Sequence, residues 1–376
     1  MTWLGLALAV VLVLTVLVDA FEVVILPRRV RHGYRLARLF YRAAWVFGRA
    51  VASLLPAGRW RQGALSVFGP LSVFALVLVW AAGLIIGFAL LHWSLGSEMA
   101  GADGGFSTYF YFSATTFFTL GYGDLVPAGG AGRALAVAEA GMGYIFLAVI
   151  ISYLPVLYQA FSRREITISL LDARAGSPPS AGEFLRRLTG RGSATPFLVE
   201  WERWAAELLE SHLSYPMLSY YRSQHENQSW VGALTMILDT SALLIAGVDG
   251  PDGHHPRLTF AMARHAAVDL ALVFSTPPRM PTPDRLPADQ SAVLWDSLRA
   301  AGWTMRDGPA AGKALAELRE LYEPFVNALA THFLFTLPPF RPEKPPVDNW
   351  QTSAWMRRAP GLGGLPAGDS GEDHVD

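Results

Sequence analysis

Residues Thr119-Leu120-Gly121-Tyr122-Gly123-Asp124 lie between two long apolar stretches and constrain this chain more than any other segment. Consecutive backbone carbonyls face one axis only if backbone handedness alternates, and left-handed dihedrals cost little only for glycine. Gly121 and Gly123 occupy alternate positions, as that geometry requires. Leu120 and Tyr122 then keep ordinary dihedrals and turn their side chains away, while Thr119 adds a hydroxyl oxygen. Such a strand presents a column of oxygens of the kind that replaces the hydration shell of a cation. The preceding segment, Ser107 to Phe118, is amphipathic and too short to cross a bilayer. It reads as a re-entrant helix, which is tolerated at membrane depth when protein and water surround it.

A membrane setting follows from composition. Hydrophobic residues make up 52% of the 376 and charged ones only 16%, a balance that fits a membrane protein better than a soluble enzyme. The net charge of −1 supplies no field for nucleic acid, and the absence of cysteine excludes disulfides and thiolate metal sites. Three stretches exceed the roughly 20 residues needed to span: Trp3 to Ile25, about Pro70 to Trp93, and about Ala134 to Phe161. The first has no basic residue before it and no small-x-small site after it, so it reads as a retained helix rather than a signal peptide.

Arginines set the expected orientation. Nine of them and no acid lie between Pro27 and Gln62, which places that loop in the cytoplasm, the N-terminus outside and the C-terminus inside. Arg31, Arg35, Arg38, Arg42 and Arg49 fall within about 60° of one another on a helical wheel, opposite Leu36, Phe40, Phe47, Val51 and Leu54. The pattern predicts an interfacial helix whose arginines meet anionic headgroups. A voltage sensor needs arginines at every third position and acidic partner helices, and neither is present.

The stretch from about Leu71 to Phe161 resembles the pore module of the two-transmembrane potassium channel superfamily: outer helix, pore helix, filter, inner helix. The resemblance implies that Thr119, Leu120, Gly121, Tyr122 and Gly123 coordinate potassium ions, and it implies no organic cofactor. Family filters usually carry Val or Ile where Leu120 stands, a difference expected to alter packing behind the filter. The filter is expected to be supported by Asp124 and by the pore-helix residues Tyr111, Phe112 and Thr115. A filter is a closed ring and the chain carries one copy, so a homotetramer is expected. Gly143 stands twenty residues beyond Gly123, where the family places its gating hinge, although close helix packing explains a glycine equally well. Pro155 is expected to kink the inner helix near a gate. Glu139, an acid in the outer half of a spanning helix, is expected either to brace the pore helix around Thr115 or Thr116 or to snorkel to the outer vestibule.

Beyond Arg163 no nucleotide-binding, zinc-protease or nucleophile-elbow motif occurs, so no enzyme is indicated. Helical periodicity recurs over Leu198 to His212, Trp230 to Val248, Leu258 to Phe274, Ser291 to Trp303 and Lys313 to Phe335. Arg163 to Leu171 is expected to be a short strand or linker, and Gly176 to Ser180 a loop. Gly232 to Gly247 is nearly apolar enough to span, but it carries Asp239 and lacks basic flanks, which favours a buried bundle helix. Asp239 then needs a partner, sought in Arg264 or His265; His265 also pairs with Asp269 one turn on. His254-His255 reads as a solvated loop.

The predicted fold class is all-α, a multi-pass protein of a bacterial cell membrane. An N-terminal transmembrane helix (1–26) and an arginine-rich interfacial helix (27–66) precede the pore domain (67–161). A cytoplasmic helical domain of unknown ligand (162–337) and a disordered tail (338–376) follow. The expected function is potassium-selective conduction gated by the cytoplasmic domain. Two alternatives are a weakly selective cation channel and a membrane-anchored helical sensor or scaffold that conducts little.

Overall fold

The computed structural model describes residues 3–26, 36–56, 58–100, 105–189, 193–224, 227–249, 253–306 and 309–342. Arg31 and Arg35, and the tail from 343 onward, lie outside these residues. The chain divides into two compact units, Met1–Gln159 and Ala160–Asp376.

In the first unit, α1 (Trp3–Val24) packs along α3 (Arg59–Ser94). Gly83 and Gly87, one turn apart on α3, make the seam: a Cβ there would lie 2.8 Å from Val16 Cγ2 and 2.5 Å from Val13 Cγ2. This is the small-xxx-small contact of membrane helices, where close approach stands in for a hydrophobic drive. Val13, Val16, Leu76, Trp80, Leu84 and Phe88 share one buried cluster. Buried Asp19 joins three helices. Its carboxylate accepts from the Ala37 N–H at 3.0 Å, capping α2 (Leu36–Leu54), and from the Trp80 indole at 2.8 Å.

The contacts of α2 trace its path against α3. Its contacts on α3 step back from Trp80 (through Asp19) to Phe68, which faces Trp45 and Gly48, and then to Arg61, which donates to the Ala52 and Leu55 carbonyls. It therefore runs antiparallel along the first half of α3. Ala37, Trp45 and Ala52 are buried, and Arg38, Arg42 and Arg49 are exposed. Phe47, on the side opposite the arginines, is 71% exposed. The strip that packs on protein is thus a different one from the apolar face opposite the arginines.

A two-residue antiparallel ribbon, β1 (Met99–Ala100) with β2 (Val126–Pro127), flanks α4 (Phe106–Phe117). Then α5 runs unbroken from Gly130 to Ala175, roughly 69 Å at 1.5 Å per residue. The expected strand or linker at 163–171 is therefore helix. The β-branched Ile-Thr-Ile disguised a stripe of Arg164, Ile168, Leu171 and Ala175, all buried at helical spacing.

The second unit is a helical bundle: α6 (Ala181–Leu188), α7 (Thr195–Ser214), a 3₁₀ turn (Pro216–Tyr220), α8 (Trp230–Gly247), α9 (His254–Val273), α10 (Ala288–Ala300), α11 (Pro309–Glu320) and α12 (Glu323–Phe333). The single helix expected over 313–335 is two, broken at Leu321-Tyr322 ahead of Pro324. Every residue of α8 but Ile245 is buried, so this apolar helix is the centre of the bundle. His254-His255 opens α9 rather than a loop. Asp239 on α8 is paired with Arg285 and accepts from the Tyr322 hydroxyl. The expected partners are elsewhere: Arg264 donates to the Leu321 carbonyl, and His265 lies 3.9 Å from Asp269 at the surface. Arg285 also bonds Glu323 at 3.0 Å and the Pro338 carbonyl at 2.7 Å. Burial pulls the Arg285 guanidinium down, but Asp239, Tyr322 and Glu323 outweigh it and hold the group above its ordinary value. Phe340 is buried under Arg285 and Arg319, 4.9 and 5.4 Å from its ring, and its carbonyl accepts from the Gly182 N–H. The packed domain thus continues to Phe340, into what the sequence presented as tail.

Candidate filter and its supports

Helix α4 ends where the oxygen-rich strand begins. The Thr119 and Leu120 N–H groups close its last turn on the Thr116 and Thr115 carbonyls at 3.0 and 2.8 Å. The strand then alternates in hand: φ is +58° at Thr119, +56° at Gly121 and +78° at Gly123, while Leu120 and Tyr122 stay at negative φ. The two glycines are where the sequence placed left-handed backbone. Thr119 is a third such residue, at a cost of roughly 1–2 kcal/mol for a side chain with a Cβ. Asp124 at the strand's far end accepts from the Tyr111 hydroxyl at 3.0 Å and from the Leu125 N–H at 3.1 Å. Tyr111 therefore ties the middle of α4 to the far end of the strand. Leu120 and Tyr122 are 55% and 69% exposed within a single chain.

A second support lies behind α4. Glu139 on α5 is fully buried, and it bonds Ser113 of the pore helix rather than Thr115 or Thr116. Ser113 Oγ is also 2.8 Å from the Ile85 carbonyl of α3. His92, near the end of α3 and fully buried, places Nε2 3.6 Å from Glu139 Oε2 and stacks edge-on against Phe112. Thr115 donates its hydroxyl hydrogen to the carbonyl of Phe112 in its own helix.

Residues 74–159 match the family profile described as Ion channel. This segment is similar in sequence to the ion-channel family. The match covers α4, the alternating strand, α3 from residue 74 onward and α5 as far as residue 159. An uncharacterized membrane protein of Bacillus subtilis (strain 168), YdjJ, is 24% identical over 252 residues, 61% of this chain and 70% of that protein. An alignment of that length cannot be confined to the pore module and α1–α3, so part of the second unit is shared as well. No solved structure matches the chain.

Within the pore module, Gly143 abuts the pore helix: a Cβ on it would stand 2.0 Å from the Phe117 carbonyl oxygen. Of the two readings of this glycine, the structure supplies the contact for close packing. Pro155 lies inside α5, which continues past it. Within the second unit, Arg164 in the last third of α5 makes several buried contacts. Its guanidinium donates to the Leu218 and Tyr221 carbonyls at 3.0 Å, bonds Glu165 at 2.8 Å and approaches His212 Nε2 at 3.3 Å. His212 Nδ1 lies 2.8 Å from the Leu208 carbonyl, so Nδ1 carries the hydrogen and Nε2 accepts. Burial pushes the His212 imidazole well below its ordinary value, and the Arg164 charge pushes it further.

Sequence reasoning missed Asp19, Trp80, His92, Ser113 and Arg164. His92 carried a usable signal: it and Glu139 are ionisable residues in two neighbouring spans, and such residues seek each other.

Proposed function

We propose that four copies of this chain assemble around a shared axis as a potassium-selective channel, with Thr119, Leu120, Gly121, Tyr122 and Gly123 coordinating dehydrated potassium ions. The observation that carries this reading is the alternation of left- and right-handed residues along 119–123, the backbone that aims successive carbonyls one way. A strand of this kind binds nothing alone, because one column of oxygens leaves most of a cation's shell unfilled. The exposed apolar residues Leu120, Tyr122, Tyr144, Ile145 and Ile151 give neighbouring copies a surface to bury. In this proposal the N-terminus lies outside a bacterial cell membrane, and the second unit is cytoplasmic. Arg38, Arg42 and Arg49 then meet anionic headgroups, while Phe47 and Leu54 face acyl chains. Gating is passed through α5, whose helix reaches Arg164 from the pore with no intervening loop.

The test is flux from purified full-length protein in liposomes with mixed potassium and sodium gradients. The reading expects barium-sensitive flux and a reversal potential that follows potassium. Equal permeability to sodium would favour a weakly selective cation channel, and the absence of flux would favour a membrane-anchored scaffold.

A further inference from the structure

The buried polar groups behind the pore helix pose a question of hydrogen counting. Ser113 Oγ lies within hydrogen-bond distance of both the Ile85 carbonyl and Glu139 Oε1, and a hydroxyl has one hydrogen to donate. Both oxygens facing it are acceptors if Glu139 is a carboxylate, so one contact would then lack a hydrogen. The conflict disappears if Glu139 Oε1 carries a proton and donates to Ser113, leaving the Ser113 hydrogen for Ile85. The other end of the carboxyl fits the same assignment. Glu139 Oε2 and His92 Nε2 have no hydrogen-bond partner among the described residues, and each faces the other at 3.6 Å, just past hydrogen-bond length. His92 Nδ1 lies 3.1 Å from Ser97 Oγ.

We propose that Ser97, His92, Glu139 and Ser113 form one directed chain in which a proton on Glu139 is the essential link. The Ser97 hydroxyl donates to His92 Nδ1, His92 Nε2–H points to Glu139 Oε2, Glu139 Oε1–H donates to Ser113, and Ser113 donates to Ile85. His92 and Glu139 are thereby positioning residues of the filter. The chain starts in the connection after α3, crosses α5 and ends on α3, with the pore helix clamped at Ser113, six residues before Thr119. Three other ionisable side chains on these elements are engaged elsewhere: Tyr109 donates to the Ser97 carbonyl, Tyr111 to Asp124, and Arg133 to the Pro127 carbonyl. Losing the proton leaves a buried carboxylate and turns the Ser113 hydrogen away from Ile85, which loosens the clamp. This inference rests on the reading of 119–123 as the filter.

The test combines single-channel potassium currents of the full-length protein with infrared spectroscopy of the same preparation. In Glu139→Gln the amide N–H donates to Ser113 and its carbonyl faces His92, so bursts of opening stay within about twofold of the parent. Glu139→Leu and Ser113→Ala break the chain and shorten bursts by about tenfold. Raising the pH on the filter side from about 6 to about 9 shortens parent bursts along a one-proton curve and leaves Glu139→Gln flat. Parallel pH profiles in the parent and Glu139→Gln, or equal damage from Gln and Leu, would overturn the proposal. The infrared arm needs neither current nor a foldable Leu variant. A protonated-carboxyl C=O band at about pH 6 that Glu139→Gln lacks supports the chain, and its absence sinks it. No potassium current together with a clear carboxyl band would refute the filter reading and spare the proton assignment.

Discussion

One methyl group added at Gly143 lands 2.0 Å from the Phe117 carbonyl oxygen. Carbon and oxygen in ordinary close contact stay about 3.3 Å apart, so the overlap is about 1.3 Å. Neither side yields easily. Gly143 is mid-helix in α5, and the Phe117 carbonyl belongs to the last turn of α4, directly before the filter strand. Overpacking of this kind costs about 1–3 kcal/mol, and two backbones in collision place it at the upper end. Alanine returns about 1 kcal/mol of helix propensity. Gly143→Ala should therefore lose about 2 kcal/mol net and displace the pore helix, seen as a lower melting temperature of the purified protein and weakened potassium selectivity. Gly141→Ala is the internal control: a Cβ there meets nothing within 4 Å in one chain. It should be neutral or mildly stabilising, and a loss at Gly141 would report a neighbouring subunit against that face. If Gly143→Ala melts like the parent and alters only open probability, the packing argument fails and the hinge regains its claim.

Asp19→Ala removes the cap of α2 and the Trp80 indole's partner, and should cost about 1.5–3 kcal/mol by thermal melting, with Asp19→Asn recovering part of it. Phe340→Ala should cost about 3–5 kcal/mol, because a fully buried ring under two guanidinium groups leaves a cavity; an unchanged melting profile would show that the segment after Pro338 is not part of the fold. Folded His212 is held neutral while the unfolded imidazole takes a proton below about pH 6.5, so stability is fully present above that pH. It should fall by up to about 1.4 kcal/mol per unit as the pH drops toward the folded value, and His212→Gln should flatten that slope in melts between about pH 7.5 and 5.

The legible parts of the fold were those where a local pattern has one structural solution. Glycines on alternate positions fixed where left-handed backbone falls, because residues with a Cβ resist it. An apolar α8 carrying one acid and no basic flanks was correctly assigned to a bundle core, because a span with an unpaired carboxylate and no anchors is unstable in lipid. What stayed hidden depends on distant partners. Asp239 was rightly read as needing a cation, but the helical wheel offered only neighbours on the next helix. Arg285, the residue that bonds it, lies in the Pro-rich connection before α10, where no periodicity points inward.

The same limit explains why the contact strip of the arginine-rich helix was not read, and the error after the pore. On a wheel, the residues opposite the arginines form the more hydrophobic face of α2, and hydropathy says nothing of the strip that meets protein. The helix instead packs through Ala37, Trp45, Gly48 and Ala52, a strip of mostly small residues whose merit is close approach to α3 rather than hydrophobicity. Hydropathy cannot rank such a strip, because alanine and glycine score weakly wherever they stand. In 163–171 the error ran the other way. Isoleucine and threonine raised the strand propensity, yet Arg164 buried against carbonyls of the bundle and Ile168 and Leu171 packed in its core make helix the conformation that satisfies all three at once. Tertiary burial decides such segments, and for that reason the helical course of 163–171 was not readable from its sequence.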